Sequence, residues 1–244
     1  KSKHYTAYLS ALAGLEEAPT RVHYRGKDLG QPATNYHFSC TGSGGEERRV
    51  YWKGGVSEAW SNRWFTPGAC NYCDDIFAEC ADVTFMDAWL HEWIRDSRGT
   101  SLIINRSRKA SDIFHRSIRE GIANIKTIGV EQIIRSQAGV VSLKREQLAY
   151  RLFQSNKLGI RTPKKRITMQ SIRNPLLRRE IILKNKMQQK SRIFFNKSGD
   201  FVPNDFQVPP EIMRTDLYQI RLLHLINALI GLPWRRLRKM LRDT

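Results

Sequence analysis

The chain has 244 residues, is 41% hydrophobic and carries a formal net charge of +18. This length suffices for one large domain, or for a medium domain with an appendage. A membrane-spanning helix needs about 18 or more mainly apolar residues. The nearest candidate, Leu217–Leu232, contains Arg221, His224 and Asn227. The composition therefore excludes a typical membrane span, and we expect a soluble protein.

The charge is concentrated in the second part of the chain. Residues 1–100 contain 11 Lys and Arg against 13 Asp and Glu, whereas residues 101–244 contain 30 against 10. Such asymmetry is typical of a segment that meets an anionic surface, but a solvated basic face without a partner accounts for it equally well.

The chain starts at Lys1, and residues 1–15 have no apolar core of the signal-peptide kind. We therefore expect a fragment of a longer cytoplasmic protein, with partner regions missing upstream.

Helix, strand and loop alternate in the first hundred residues. Helical spacing of apolar residues predicts a helix over Ser2–Leu15, and Val56–Arg63 predicts one or two further turns. Short runs between Gly-rich turns predict three strands, at Thr20–Arg25, Tyr36–Cys40 and Arg48–Trp52. The Pro-Gly and Asp-Asp pairs of residues 65–75 predict a loop.

Strand and helix signals continue to residue 119. Ala81–Met86 and Ser101–Asn105 are strand candidates, and Ser107–Arg119 predicts a helix with Ser107 as its N-cap. A strand followed by a helix predicts an α/β layer.

From Glu131 onward Lys and Arg stand between apolar positions in long helical runs. The predicted helices are Leu143–Asn156, Leu176–Lys197, Pro210–Ile230 and Pro233–Asp243, with connectors at the prolines of residues 162–166 and 172–175. We expect an α/β (α+β) domain with a cysteine-bearing loop over residues 1–150. A basic, mainly helical appendage is expected over residues 151–244.

All four cysteines lie in the first third of the chain. Cys70 and Cys73 form a CxxC pair on the predicted loop, with Cys80 beyond it and Cys40 before it. Four thiolates are the number that a tetrahedral zinc site or a 4Fe-4S cluster requires. Cys40 and Cys80 are equally compatible with a role as small buried hydrophobes.

The segment around these cysteines resembles a known family. The run Cys70-Asn-Tyr-Cys73-Asp-Asp, the strand ending in Met86-Asp87-Ala-Trp89, and Gly99-Thr-Ser101 are similar to the C-terminal domain of the coenzyme F-420 hydrogenase/dehydrogenase beta subunit family. Tyr24-Arg25-Gly26-Lys27 resembles a further family element. Met86 stands where many relatives have glycine, which puts a close backbone approach at that turn in doubt.

The resemblance implies an iron-sulfur flavoprotein oxidoreductase that passes electrons between a 4Fe-4S cluster, FAD and a substrate or the deazaflavin coenzyme F-420. It implies a role that extends to polysaccharide biosynthesis in some relatives. Cys70 and Cys73 fall on the family's cysteine pair, and Cys80 and Cys40 complete the candidate ligand set. The candidate cofactor contacts are Arg25, Lys27, Asp87, Gly99, Thr100 and Ser101. The resemblance also implies a missing ferredoxin-like region or a separate electron-transfer subunit, so we expect the fragment alone to be inactive.

Other polar residues near the cysteines have two interpretations. Asp74, Asp75, Asp82 and Asp87 either lower the potential of a cluster or serve as turn formers and caps. His91 is either a proton relay or a solvated surface residue.

Two other functions stay open. A four-cysteine zinc site combined with the basic helices would make a nucleic-acid-binding module, but no nucleic-acid motif accompanies the charge. A thiol-disulfide enzyme needs a lowered thiol pKa, which we expect Asp74 and Asp75 to oppose.

Residues 216–243 predict an amphipathic helix pair with a basic end. The apolar positions are Leu217, Ile220, Leu223, Ile226, Leu229 and Ile230, and the basic ones are Arg235, Arg236, Arg238, Lys239 and Arg242. Such a tail either lies on an anionic membrane at the inner face or packs its stripe on the body.

Overall fold

The computed structural model describes residues 1–197 and 208–240, with the side chains of 194–197, 208–210 and 232–240 left out of the description. The chain divides into two compact units. One unit, here the core unit, comprises Lys1–Tyr24, Phe38–Gly68 and the described part of Ile172–Thr244. The other, here the ribbon unit, comprises Arg25–His37 and Ala69–Ser171. The division at residue 150 stays a prediction.

Most of the three-stranded sheet belongs to the core unit. The strands β1 (Arg21–Gly26), β2 (His37–Thr41) and β3 (Glu47–Tyr51) follow one another in that order across the sheet. The helices α1 (Lys3–Leu12) and α2 (Val56–Ser61) flank these strands in sequence. Each element lies within two or three residues of its predicted position.

An aromatic cluster fills the core beside α1. Tyr8 lies with its ring centroid 5.6 Å from that of Trp64 and 5.4 Å from that of Phe65. Burial, followed by the negative charge of Glu58, raises the pKa of Tyr8 to about 12. Phe65 has a positive φ of 54°, which is unfavourable for a bulky side chain. Its amide donates a hydrogen bond to Ser191 Oγ at 2.9 Å, which helps to hold this conformation.

Two long helices complete the core unit. The helix α7 (Pro175–Lys197) begins where Asn174 Oδ1 accepts hydrogen bonds from two backbone amides of the first turn, so the predicted connector there is confirmed. The helix α8 (Val208–Met240) packs against α7 through Met213, Leu217 and Ile220.

The predicted helix pair at residues 210–243 is wrong over the described residues. The backbone of α8 is helical through Pro233, whose missing N–H removes one hydrogen bond without ending the helix. Residues 241–243, with Arg242, lie outside the described residues.

The ribbon unit contains a two-stranded antiparallel ribbon and four helices. The strands β4 (Val83–Asp87) and β5 (Ser101–Asn105) pair in antiparallel register, so that Val83 faces Asn105. The helices are α3 (Arg108–Arg119), α4 (Val130–Ser136), α5 (Ala138–Lys144) and α6 (Glu146–Lys157).

The structure confirms a mixed α+β chain with a helical C-terminal part and corrects two details. The strands β4 and β5 are antiparallel neighbours rather than parts of an α/β layer, and α3 contains no buried residue. The backbone of Ser107 is extended, as an N-cap requires, but its side chain makes no capping hydrogen bond.

The buried carboxylate of Asp216 links α7 and α8. Its Oδ2 lies 2.6 Å from Lys190 Nζ and its Oδ1 lies 3.0 Å from Lys186 Nζ, while the side chain is only 1% exposed. Burial raises the pKa of Asp216, but the hydrogen bonds and charges of the two lysines outweigh burial and lower it.

We expect Asp216→Ala to reduce the free energy of unfolding by about 2 kcal/mol, because it removes two charge-assisted contacts between a buried carboxylate and the partly exposed Lys186 and Lys190. Chemical denaturation measures this loss, and Asp96→Ala is the control at an exposed ion pair, with an expected loss of about 1 kcal/mol or less. The stabilisation by Asp216 is present above the ordinary carboxyl pKa and is lost as the pH falls through its lowered folded-state value. Equal losses for the two variants would contradict this account.

Candidate functional site

The end of the β4–β5 ribbon brings together the predicted cofactor residues. Asp87, the last residue of β4, pairs with Ser101, the first residue of β5, and the amide of Ala88 donates to Thr100 O at 3.0 Å. A guanidinium nitrogen of Arg25 lies 2.6 Å from Asp87 Oδ2. These residues are 25, 87 and 101 in sequence, and the fold places them in one polar cluster, here called the ribbon end.

Lys27 joins this cluster through Gly99. A Cβ atom at Gly99 would lie 3.0 Å from Lys27 Nζ, so the ammonium group sits directly over the glycine. Gly99 has a φ of +79°, which suits glycine and few other residues. The neighbouring Asp96 has a lowered pKa, first because Arg98 hydrogen-bonds to it and also because of the charges of Arg98 and Lys27. All six predicted cofactor residues therefore lie at the ribbon end.

Two aromatic rings flank Arg25. The guanidinium carbon lies 4.6 Å from the ring centroid of Tyr36 and 5.5 Å from that of Trp89, within the range of cation–π attraction. Burial raises the pKa of the Tyr36 hydroxyl, although the Arg25 charge opposes this, so Tyr36 stays a neutral donor at neutral pH. The ribbon end thus combines cationic donors with π surfaces.

The end of α4 fixes the backbone of this turn. Gln137 Nε2 donates to Asp87 O at 2.7 Å, and Ser136 Oγ accepts a hydrogen bond from the Trp89 amide at 2.8 Å. Both Ser136 and Gln137 are buried. Hydrogen bonds that are partly shielded from water are costly to break, so these two restrain the turn carrying Asp87 and Trp89.

Sequence reasoning missed Tyr36, Ser136 and Gln137, and it quoted Trp89 only as part of a turn. Ser136 and Gln137 lie about 50 residues from their partners, and nothing in their local sequence marks a long-range contact. Tyr36 precedes a strand and carries no signal beyond its residue type.

Three of the four cysteines occupy a second region of the ribbon unit. Cys70 and Cys73 are partly buried on the loop before β4, Cys80 is exposed, and Cys40 lies buried on β2 in the core unit. Burial raises the pKa of the Cys40 thiol, as expected for a core residue. Among the described residues no three His, Cys, Asp or Glu side chains are grouped closely enough to hold a metal ion.

The described residues therefore do not form a complete cage for a 4Fe-4S cluster, nor for the alternative zinc site, which needs the same convergence. Cys70 and Cys73 offer two thiols. Whether these two thiols bind a cluster stays a prediction.

The environment of Cys73 differs from the expectation. A hydrogen bond from Lys144 is the largest influence on its thiol and, despite the opposing effects of burial and Asp75, the pKa of Cys73 is lowered. Sequence reasoning weighed only the adjacent aspartates, because Lys144 is 71 residues away in the chain. Lys144 at the end of α5 thus favours the thiolate, which is the form that binds metals.

Salt bridges and one arginine hold the cysteine loop. Arg106 donates hydrogen bonds to the carbonyl oxygens of Phe77 and Ala81 at 3.0 Å each and to Thr84 Oγ1 at 3.1 Å. Glu79 lies 2.6 Å from Arg166 and 3.2 Å from Arg145, and these contacts lower its pKa.

The aspartates near the cysteines differ in their contacts. Asp74 pairs with Lys165 at 3.3 Å, and Asp75 Oδ1 accepts a hydrogen bond from the Glu79 amide at 3.3 Å. The backbone oxygen of Asp82 accepts from the Arg106 amide at 2.8 Å. The contact of Asp75 agrees with its interpretation as a turn former or cap. His91 is exposed.

The fold and the ribbon end together define a small α+β domain with a polar, aromatic-flanked cluster suited to an anionic or aromatic ligand. Residues 25–131 match the family described as the C terminus of the coenzyme F-420 hydrogenase/dehydrogenase beta subunit. The resemblance drawn from the sequence is confirmed for this segment, which covers less than half of the chain and contains every predicted site residue. This segment is therefore similar to part of an oxidoreductase subunit.

Comparison with curated proteins and with solved structures gave no match.

Among the described residues no helix is both long and apolar enough to span a membrane.

We expect Gly99→Ala to lower the free energy of unfolding by about 1 kcal/mol or more, because alanine strains the positive φ and its Cβ presses on Lys27. Gly139→Ala is the matched control, since Gly139 lies in α5 and a methyl carbon added there would have no atom within 4 Å. Alanine in the first turn of this helix should stabilise that variant by up to about 1 kcal/mol. Thermal unfolding of both variants measures the difference, and the same sign for both would refute the strain argument.

Proposed function

We propose that the chain is part of an iron-sulfur flavoprotein oxidoreductase subunit, which passes electrons between a 4Fe-4S cluster, FAD and a substrate or coenzyme F-420. The observation that carries this proposal is the convergence of Arg25, Lys27, Asp87 and residues 99–101 at one ribbon end inside the family segment. From the family resemblance, we also propose that the substrate is a precursor in polysaccharide biosynthesis.

The ribbon end fits a flavin nucleotide by the chemistry of its donors. Arg25 presents five N–H donors, of which Asp87 engages one side, and Lys27 presents three. Charge-assisted hydrogen bonds from such groups suit phosphate and ring oxygens. Trp89 and Tyr36 add π surface beside the guanidinium. The flavin, when bound, supplies the electron-transfer chemistry, while these residues bind and orient it.

Asp87 has a positioning role in this proposal. Its carboxylate lies 2.6 Å from Arg25 and so orients the guanidinium, while its own backbone is anchored by Gln137. The pair is about 40% exposed on both sides, so it adds about 1 kcal/mol or less to stability. Orientation of Arg25 toward a ligand is then the larger consequence of the contact.

In this proposal Cys70 and Cys73 are two of the cluster ligands. The hydrogen bond from Lys144 lowers the pKa of Cys73 and so favours the thiolate that a cluster needs. The remaining ligands are proposed to come from a ferredoxin-like region of the longer protein or from a separate electron-transfer subunit. This assignment leaves Cys40 as a core residue and Cys80 as an accessible residue of the loop.

A cytoplasmic location, with peripheral contact to an anionic membrane at the inner face, remains part of the proposal for residues 216–243. The inward stripe cannot serve that contact, because Leu217 and Ile220 are buried and Leu223 packs against the core. Leu229 and Ile230 are exposed, and the side chains of Arg235, Arg236, Arg238 and Lys239 lie outside the described part of the chain.

We expect Cys70→Ser or Cys73→Ser, in the full-length protein purified without oxygen, to lose iron and sulfide in near-stoichiometric amounts. Cys40→Ala is the matched control and should retain both, because its thiol is buried in the core unit. Iron and acid-labile sulfide analysis gives the result. Unchanged iron in both loop variants would remove the cluster from the proposal, and loss of iron in Cys40→Ala would return Cys40 to the ligand set.

A full-length preparation should release flavin on denaturation or bind added FAD, because the ribbon end offers cationic donors and π surfaces together. Absorbance and fluorescence of the released cofactor measure its amount. A protein that neither holds nor takes up flavin would overturn the flavin assignment.

A further inference from the structure

The two faces of the β4–β5 ribbon differ in their exposure to solvent. Residues that pair across an antiparallel ribbon share a face, and successive residues of one strand alternate between the faces. One face carries Leu102, which is only 4% exposed, and Thr84, whose hydroxyl donates to the Phe77 carbonyl at 2.7 Å. This face is therefore covered by the protein. The other face, here called the outer face, carries Phe85, whose side chain is 63% exposed.

The outer face also carries the ribbon end. In the register of the ribbon, Phe85 faces Ile103, and the next pair on the same face is Asp87 with Ser101. A strand rises about 3.4 Å per residue, so Phe85 lies about 7 Å along β4 from Asp87. Arg25 reaches the ribbon end through its ion pair with Asp87. An exposed aromatic ring therefore lies one step along the ribbon from a cationic group.

The neighbours of Phe85 distinguish it from an ordinary exposed apolar residue. Single apolar side chains are common on protein surfaces and need no function. Here the cross-strand partner Ile103 extends the apolar surface over both strands, and the same face continues to the polar cluster at Asp87. Ligand sites combine mainly apolar surface with a few polar groups that fix orientation. The outer face and the ribbon end together have this composition.

We propose that Phe85 is a ligand-binding residue, on which the planar ring of the flavin lies while the ribbon end holds an anionic part of the same molecule. This inference rests on the function proposed above and adds a contact to the candidate cofactor residues. Stacked aromatic rings are stabilised beyond the burial of their area. Binding also covers apolar surface of Phe85 that otherwise meets water, which adds a hydrophobic contribution.

Binding of FAD and of riboflavin to the full-length protein tests this proposal. Riboflavin has the same ring as FAD but no phosphate, so loss of a ring contact should affect both ligands. We expect Phe85→Ala to bind each ligand roughly 10-fold more weakly than the wild type. Phe85→Tyr keeps an aromatic ring and should bind both within about 2-fold of the wild type. Fluorescence titration gives the affinities.

A matched control and a check of folding accompany these variants. Tyr218→Ala removes a similarly exposed aromatic side chain, 67% exposed, from the core unit and should bind both ligands as the wild type does. Because Phe85 is mostly exposed, its truncation should leave the fold intact, and circular dichroism melting curves check this for each variant. Phe85→Thr, with a side chain that favours strands, gives the same test if the alanine variant melts early.

The outcomes separate this inference from the function on which it rests. A wild type that binds no FAD would overturn both. A folded Phe85→Ala variant with wild-type FAD affinity would overturn the Phe85 contact alone. A loss of affinity for FAD with none for riboflavin would mean that Phe85 meets the nucleotide part of FAD, which also overturns the ring contact. Similar losses for both ligands, with none in Tyr218→Ala, support it.

Discussion

The contact between Arg25 and Asp87 is the constraint on which the candidate site depends. It ties the end of β1 to the end of β4 by a 2.6 Å ion pair, within reach of two aromatic rings. Both side chains are substantially exposed, so the ion pair contributes little to overall stability. The main consequence of the ion pair is geometric. It holds the Arg25 guanidinium at the ribbon end, beside the start of β5, with further N–H donors available for a ligand.

Rigid surroundings make that geometry useful for binding. Ser136 and Gln137, at the end of α4, hold the turn after Asp87 by hydrogen bonds. Because Gly99 has no side chain, Lys27 can approach the backbone just before β5. A site whose groups are already oriented loses less entropy when a ligand binds. The cysteine loop shows the same principle, because Arg106 ties three of its groups while Lys144 adjusts the thiol of Cys73.

Local sequence patterns predicted the secondary-structure elements, but they did not predict the contacts between residues far apart in the chain. The strand Ser101–Asn105 was predicted to the residue, since β-branched and apolar residues between turn signals specify a strand by themselves. Motif resemblance singled out Arg25 and Asp87 as candidate cofactor contacts, and their binding role stays a prediction. The helix break predicted at Pro233 was wrong, since the described backbone of α8 stays helical to Met240. The roles of Gln137 and Lys144 arise only when segments about 50 and 70 residues apart meet, which no periodicity reveals.

A double-mutant cycle on flavin affinity in the full-length protein tests the central claim most directly. The variants are Arg25→Met, Asp87→Asn and their combination, with Arg49→Met as the control at another exposed ion-paired arginine. The account predicts that each single variant binds FAD roughly 10-fold more weakly, and that the double variant is little worse than either, because the two residues act as one unit. Wild-type flavin affinity in Arg25→Met would contradict the account.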